Sequence, residues 1–538
     1  MTTLPDHPAE DARLQAGKAI VPAVLRDVAP LIFHWIGFLL AKKLLFLVGD
    51  LPKADYKSTV LATSLFSNLL DQPVLLTLVI ALLMVCVFSK RLRAISSWGA
   101  VDDGRLFRWF ATGLGLMFAV TLVGQPVNLF FGQEYVFDRS LLLILALSIW
   151  VHPFLMIPFL VLAIAVGGQF AFPVSGYGWD RHLLGIYRLP IQLLLVICIG
   201  TLTRRQSKPS KSSSTVLLIV VVLASYYLVP GLGKLRSGWI TVPNVHYSLF
   251  GSWSHGWMAS MSGSEVARLT KTLAPFAIPL QIIVLLIECG AVLVFVRRIS
   301  LFLLPMWAVF HIGAWMMYGY SFWLWILIDL SAFFFVLKQP DDFRFGWGNC
   351  VIAFLLIGSS FAWLNPNRLA WFNAPLANSY RVICTTVDGD TFEIAPWEFA
   401  PYDYIFTMQL FSRISAKQQL VGPYGATSIS KIALLTGEKA AALQAKAPAH
   451  KPESVLQQQL GALIRQYVQA WNAGRDNRTM FAFLSTPSLL NTTLPKGRLT
   501  DKQIVVARVV RIQSYLADET VVKETVEECL KIEFGDEF

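Results

Sequence analysis

Residues 216–232 read Val216-Leu217-Leu218-Ile219-Val220-Val221-Val222-Leu223-Ala224-Ser225-Tyr226-Tyr227-Leu228-Val229-Pro230-Gly231-Leu232, and Gly233-Lys234-Leu235-Arg236-Ser237-Gly238-Trp239 follows. Carried back to Ser214, this run approaches the roughly 20 apolar residues that cross a hydrocarbon core as one helix. Further runs lie at about 29–48, 73–89, 107–128, 140–151 with 153–170, 188–203, 274–296, 300–317, 320–337 and 347–364. His152-Pro153 splits the 140–170 run, because proline breaks or kinks a helix, so a short hairpin or re-entrant pair is expected there. Only 15% of the 538 residues are charged and 55% are hydrophobic, against about 25% charged in soluble chains. The expected fold is an all-α polytopic membrane helical bundle over residues 29–365, embedded in a lipid bilayer.

A polar segment, residues 1–28, precedes the bundle. Its Asp6, Glu10, Asp11 and Arg13 do not fit a cleaved signal peptide, so the first span is expected to act as an uncleaved insertion signal. Lys42 and Lys43 interrupt that span and should snorkel or face other helices. The net charge of +11 gathers in short clusters beside the apolar runs: Lys90, Arg91 and Arg93; Arg204, Arg205, Lys208 and Lys211; Arg297 and Arg298. Cytoplasmic loops carry such clusters. No aromatic-interleaved basic groove points to nucleic acid. Placing each cluster on the cytoplasmic side, for which a bacterial inner membrane is the expected setting, puts the residues after 365 outside.

Residues 366–538 read as a small extracytoplasmic α+β C-terminal domain. A hairpin is expected over 380–395, around Asp388-Gly389. A linker is expected near 438–452, from its Ala/Lys/Pro content, then an amphipathic helix over 454–473 and strands at 503–515 and 520–534. Cys384 and Cys529 could form a disulfide if this tail meets an oxidising space. Asn477 and Asn491 begin glycosylation sequons, which matter only in a eukaryotic secretory route.

Ionisable groups inside spans are costly and are functional candidates by default. Here they are His34, His152, Lys234, Glu288, His311 and Asp329. Lys234 reads either as an interface lysine reaching for headgroups or as an amine in a dry pocket, usable as a base. It is not a P-loop lysine, because Leu228 and Leu235 stand where a glycine and a Ser/Thr belong. Glu288 needs a partner or a proton. His311 could be a core histidine on a backbone carbonyl, and Asp329 a bundle hydrogen bond or part of a proton path. In the loop 239–260, Trp239, His246 and Tyr247 read as interfacial anchors or as the lining of a cofactor site. His246 and His255 lack a metal-ligand spacing, and the cysteines form no C-x-x-C, so no metal is expected.

From Tyr226 to Phe335 the order of short motifs resembles the horizontally transferred transmembrane domain family, of the vitamin K-dependent gamma-carboxylase kind. Pro230-Gly231-Leu232-Gly233-Lys234-Leu235 with Trp239 resembles that family's A-G-x-x-K-L-x-x-x-W element, with proline in place of alanine. Glu288 followed by Arg297 and Arg298, then Phe310-His311 and Tyr320-Ser321-Phe322, resemble its following blocks. Val387-Asp388-Gly389 through Pro396-Trp397 resembles a segment after the last span. The resemblance implies a quinol-dependent carboxylase, a lyase, with Lys234 as base and reduced vitamin K (a menaquinol-like quinol) as cofactor; His311 and Glu288 are the further catalytic candidates. The client would be a secreted peptide. A non-enzymatic factor for peptide or toxin maturation or export, and a proton-coupled transporter using Glu288 and Asp329, are the alternatives.

Overall fold

The structure is a computed structural model, which describes residues 8–52, 54–57, 60–73, 76–77, 104–124, 136–171, 179–203, 214–319, 322–338, 345–366, 372–394, 399, 413–421, 430–474 and 502–534. Most of the expected 73–89 span lies outside them, as do the basic clusters after residues 89 and 203, Pro396-Trp397 and both sequons.

The body comprises α1 (Pro8–Gly49), α2 (Leu61–Leu70), α3 (Gly104–Val123), α4 (Val136–Ser148), α5 (Met156–Ala171), α6 (Trp179–Thr203), α7 (Ser214–Ser237), α8 (Ser248–Ser254), α9 (Gly263–Leu273), α10 (Ala277–Cys289), α11 (Arg297–Tyr318), α12 (Trp323–Leu337) and α13 (Trp347–Gly358). Among the described residues, six helical segments are long and apolar enough to cross a membrane. The sequence-based boundary at residue 28 is not a break, because α1 runs through it. The expected hairpin at 140–170 takes the form of α4 and α5, which pack on each other across a gap at Ile149–Leu155. His152 lies in this gap and accepts the Phe154 amide at Nδ1, 3.2 Å away.

Burial sets α7, and with it residues 187–201 of α6, apart from the outer helices. The apolar window of α7 is 89% buried in protein, against 33% for Gly263–Leu293, 33% for α11 and 22% for Val28–Gly49. The outer helices turn Phe33, Phe302, Met316, Phe354 and similar side chains outward. An outward apolar surface is unfavourable in water and suits a bilayer. Lipid is itself apolar, so helices in it associate through close packing and interhelical hydrogen bonds. Both occur here. Lys42 donates to the Trp363 carbonyl at 2.7 Å, so it faces another helix, and His34 Nε2 donates to the Val196 carbonyl at 2.9 Å. His34 is thereby accounted for structurally.

The tail forms an antiparallel sheet of β1 (Leu376–Thr386), β2 (Thr391–Ile394), β3 (Ile504–Leu516) and β4 (Val521–Glu533), in the order β2-β1-β3-β4. Two helices accompany it, α14 (Gly437–Ala445) and α15 (Ser454–Asn472). Gly389, at φ 84°, makes the turn between β1 and β2, as the hairpin reading expected. The linker reading of 438–452 is corrected for its first half. Thr436 caps α14, and Glu, Lys, Ala, Leu and Gln are strong helix formers whatever their low complexity suggests. The disulfide is corrected too: Cys384 and Cys529 are free. They sit on strands either side of β3, about 10 Å apart at the spacing of a sheet, beyond a disulfide's reach.

Candidate functional site

Helix α7 continues through Pro230 and Gly233 to Ser237. The continuation places Tyr227, Gly231 and Lys234 on one face. At Gly231 an added Cβ would stand 2.9 Å from Glu288 Cβ and 2.9 Å from Cys289 Sγ, so glycine is what lets α10 approach. Across this close crossing the Lys234 ammonium donates to both Glu288 oxygens, at 2.7 and 2.8 Å. The residues are 9% and 3% exposed, respectively, so Lys234 points into protein. Removing one member of such a buried pair typically costs about 3–5 kcal/mol, because the other is left charged and alone.

The loop beyond Lys234 is equally specified. Gly238, at φ 71°, reverses the chain so that the Trp239 ring comes back to lie 5.8 Å from Lys234 Nζ. Gln281, on α10, donates to the Trp239 and Val242 carbonyls and accepts the Asn244 amide at 3.0 Å. Asn244 adds bonds to the same two carbonyls, and its Oδ1 accepts from Asn373 of the tail. An ammonium has three donors. Glu288 takes two of Lys234's, and the third has no protein acceptor among the described residues.

His311 makes no hydrogen bond to Lys234 or Glu288 among the described residues; it lies in a cluster with Asp329, where its Nδ1 is 3.1 Å from Asp329 Oδ2 and 3.4 Å from the Tyr227 hydroxyl. Tyr227 donates to the same Oδ2 at 2.6 Å. The histidine's partner is therefore a carboxylate, not the backbone carbonyl considered from sequence. Trp307 connects the two clusters: the Tyr227 ring stacks flat on it at 3.9 Å, and its Nε1 donates to the Ile287 carbonyl, next to Glu288.

The His246 and Tyr247 rings lie 3.9 Å apart, tilted by 40°, in the turn after Asn244. Burial pushes the His246 imidazole down to about 4, and its Nδ1 has no hydrogen-bond partner among the described residues. Trp239 alone of the three expected cofactor residues is placed against Lys234. Among the described residues no three His, Cys, Asp or Glu side chains come together as a metal-binding group.

Sequence reasoning missed Tyr227, Gln281 and Asn244. A helical wheel carried through Pro230 would have found Tyr227, two turns before Lys234. Gln281 and Asn244 carry no signal of their own, since their importance lies in loop carbonyls that only the fold brings to them. Comparison with protein-family models, curated proteins and solved structures finds no match for this chain.

Proposed function

We propose that this chain is a multi-pass membrane enzyme of the gamma-carboxylase-like kind, with the Lys234–Glu288 pair as its acid–base centre. The observation that carries the reading is the buried ammonium of Lys234, which keeps one donor free of protein acceptors among the described residues, beside the Trp239 ring. Transfer of one proton across the 2.7 Å contact leaves a neutral amine and a neutral acid. In an apolar setting that state is favoured far more than in water. Trp239, itself 3% exposed, keeps water from the amine.

The chemistry of Lys234 suits a lipid-soluble quinol of the reduced vitamin K type, because that third donor can meet a phenolic oxygen. Such a quinol supplies reducing electrons and, on oxygenation, a base strong enough to remove a γ-proton from a peptide glutamate. Lys234 would hold the phenolic oxygen, Glu288 would accept the displaced proton, and Gln281 would keep Trp239 in place. In this reading the membrane is a bacterial inner membrane, the tail is extracytoplasmic and its client is a secreted peptide. A proton-coupled transporter is the second reading, favoured by the Tyr227–Asp329–His311 cluster.

Oxygen consumption by the purified chain in lipid nanodiscs, with a reduced naphthoquinone added, tests the proposal. Wild type should consume oxygen in step with the quinol, and Lys234→Ala and Glu288→Gln should lose about 10²-fold or more of that rate. No quinol-dependent uptake by wild type, or uptake unchanged in Lys234→Ala, overturns it.

A further inference from the structure

Asp329 is fully buried on α12, yet its two oxygens are treated unequally. Oδ2 receives the Tyr227 hydroxyl at 2.6 Å and His311 Nδ1 at 3.1 Å. Oδ1, equally buried, has no hydrogen-bond partner among the described residues. One turn earlier on the same helix, the Trp325 Nε1–H is likewise buried without an acceptor among them. Both lie beside His311, whose ring is 5.5 Å from that of Trp325. A buried donor or acceptor left unmade costs about 1–3 kcal/mol. A bare acceptor and a bare donor on one helix face are what a single water satisfies together.

We propose that Asp329, with Tyr227, His311 and Trp325, forms an intramembrane proton-binding site, in which one water joins Trp325 Nε1–H to Asp329 Oδ1. A proton arriving as hydronium adds to Oδ1. One O–H bond of the hydronium breaks, one forms on the carboxylate, water is left, and no electrons change owner. With the proton bound, Asp329 is neutral and still accepts from Tyr227 and His311 at Oδ2. Without it, the carboxylate keeps its Tyr227 and His311 contacts at Oδ2. The groups facing the site are Tyr227 from α7, His311 from α11 and, one helix away, Glu288 of α10, whose charge acts on both Tyr227 and His311. From α3 the neighbours packed on α12 are the rings of Phe107 and Phe110, against Phe335. The bland alternative is a static latch tying α7, α11 and α12 together. A latch needs no orphaned atoms, whereas a site that takes up and releases a proton needs a free position on the carboxylate. This inference goes beyond the quinol reading, because it holds whether or not Lys234 acts on a quinol.

Infrared difference spectra of the full chain in liposomes, recorded from about pH 4 to 10 to bracket carboxyl and imidazole titration, provide the test. Wild type should show a protonated-carboxyl stretch that moves down in D2O, disappears in Asp329→Asn and persists in Lys234→Ala and Glu288→Gln. Trp325→Phe should shift the band by removing the water's second anchor, and Tyr227→Phe should shift it from the Oδ2 side. Both phenylalanine variants keep the carboxyl, so they decide the matter even if Asp329→Asn does not fold. A band unchanged in both, or no band assignable to Asp329 at any pH, overturns the proposal. Absence of quinol-dependent oxygen uptake in wild type, with this band present, would instead count against the Lys234 reading alone.

Discussion

At the scale of single residues, His246 offers a test that needs no substrate. Its folded-state value of about 4 lies below the ordinary 6.5, because burial penalises the charged ring. The unfolded chain therefore takes up a proton between about pH 6.5 and 4 that the folded chain does not. Stability is held above that window and falls as pH drops through it, by about 3 kcal/mol in all. His246→Gln should flatten this part of the pH–stability curve, measured by thermal unfolding in detergent. An unchanged acid slope would assign it to other groups. Single residues were also where the sequence was most and least readable. Lys234, Glu288, His311 and Asp329 stood out because ionisable groups are expensive in spans. Who pairs with whom did not, because pairing depends on how helices cross. The contact between His311 and Asp329, for example, joins two separate helices.

Helices and strands were legible wherever a period or a run was long. The strands at 503–515 and 520–534, the helix at 454–473 and the central span all fall within a few residues of their expected places. An error came where composition was read without propensity, as at α14. In α7 the glycine serves proximity. Two positions separate that role from mere flexibility. At Gly313, in α11, an added Cβ meets nothing within 4 Å, whereas at Gly231 it meets Glu288 and Cys289 at 2.9 Å. Gly313→Ala should leave the unfolding midpoint unchanged or raise it slightly, as alanine favours helix by about 1 kcal/mol. Gly231→Ala should lower stability by about 1–3 kcal/mol through overpacking. Equal effects at the two sites would mean that α7 and α10 do not rely on this contact.

Across the whole molecule, the sheet is seated on the same end of the bundle as Lys234. Arg381 of β1 donates to the Ser254 carbonyl at 2.7 Å and pairs with Glu393, and Lys523 of β4 lies 3.7 Å over the Trp253 ring. Phe250, Trp253 and Val266 of the body share an apolar cluster with Ala377, Leu516 and Val521 of the tail. None of this was visible beforehand, since each contact joins residues far apart in the chain. A double variant, Arg381→Met with Trp253→Ala, should expose the tail to protease while the helical body stays intact, given the roughly 1.5–3 kcal/mol of a charged hydrogen bond. A tail that remains protected would show that its seat lies elsewhere. The sheathing of α7 also bears on how the protein is made. Lys234 leaves the ribosome 54 residues ahead of the glutamate that neutralises it. During synthesis this helix must wait among acyl chains with an uncompensated charge, at a penalty of a few kcal/mol. Its final enclosure is thus a late event of biogenesis, completed only when α10 and the helices after it arrive to wrap it.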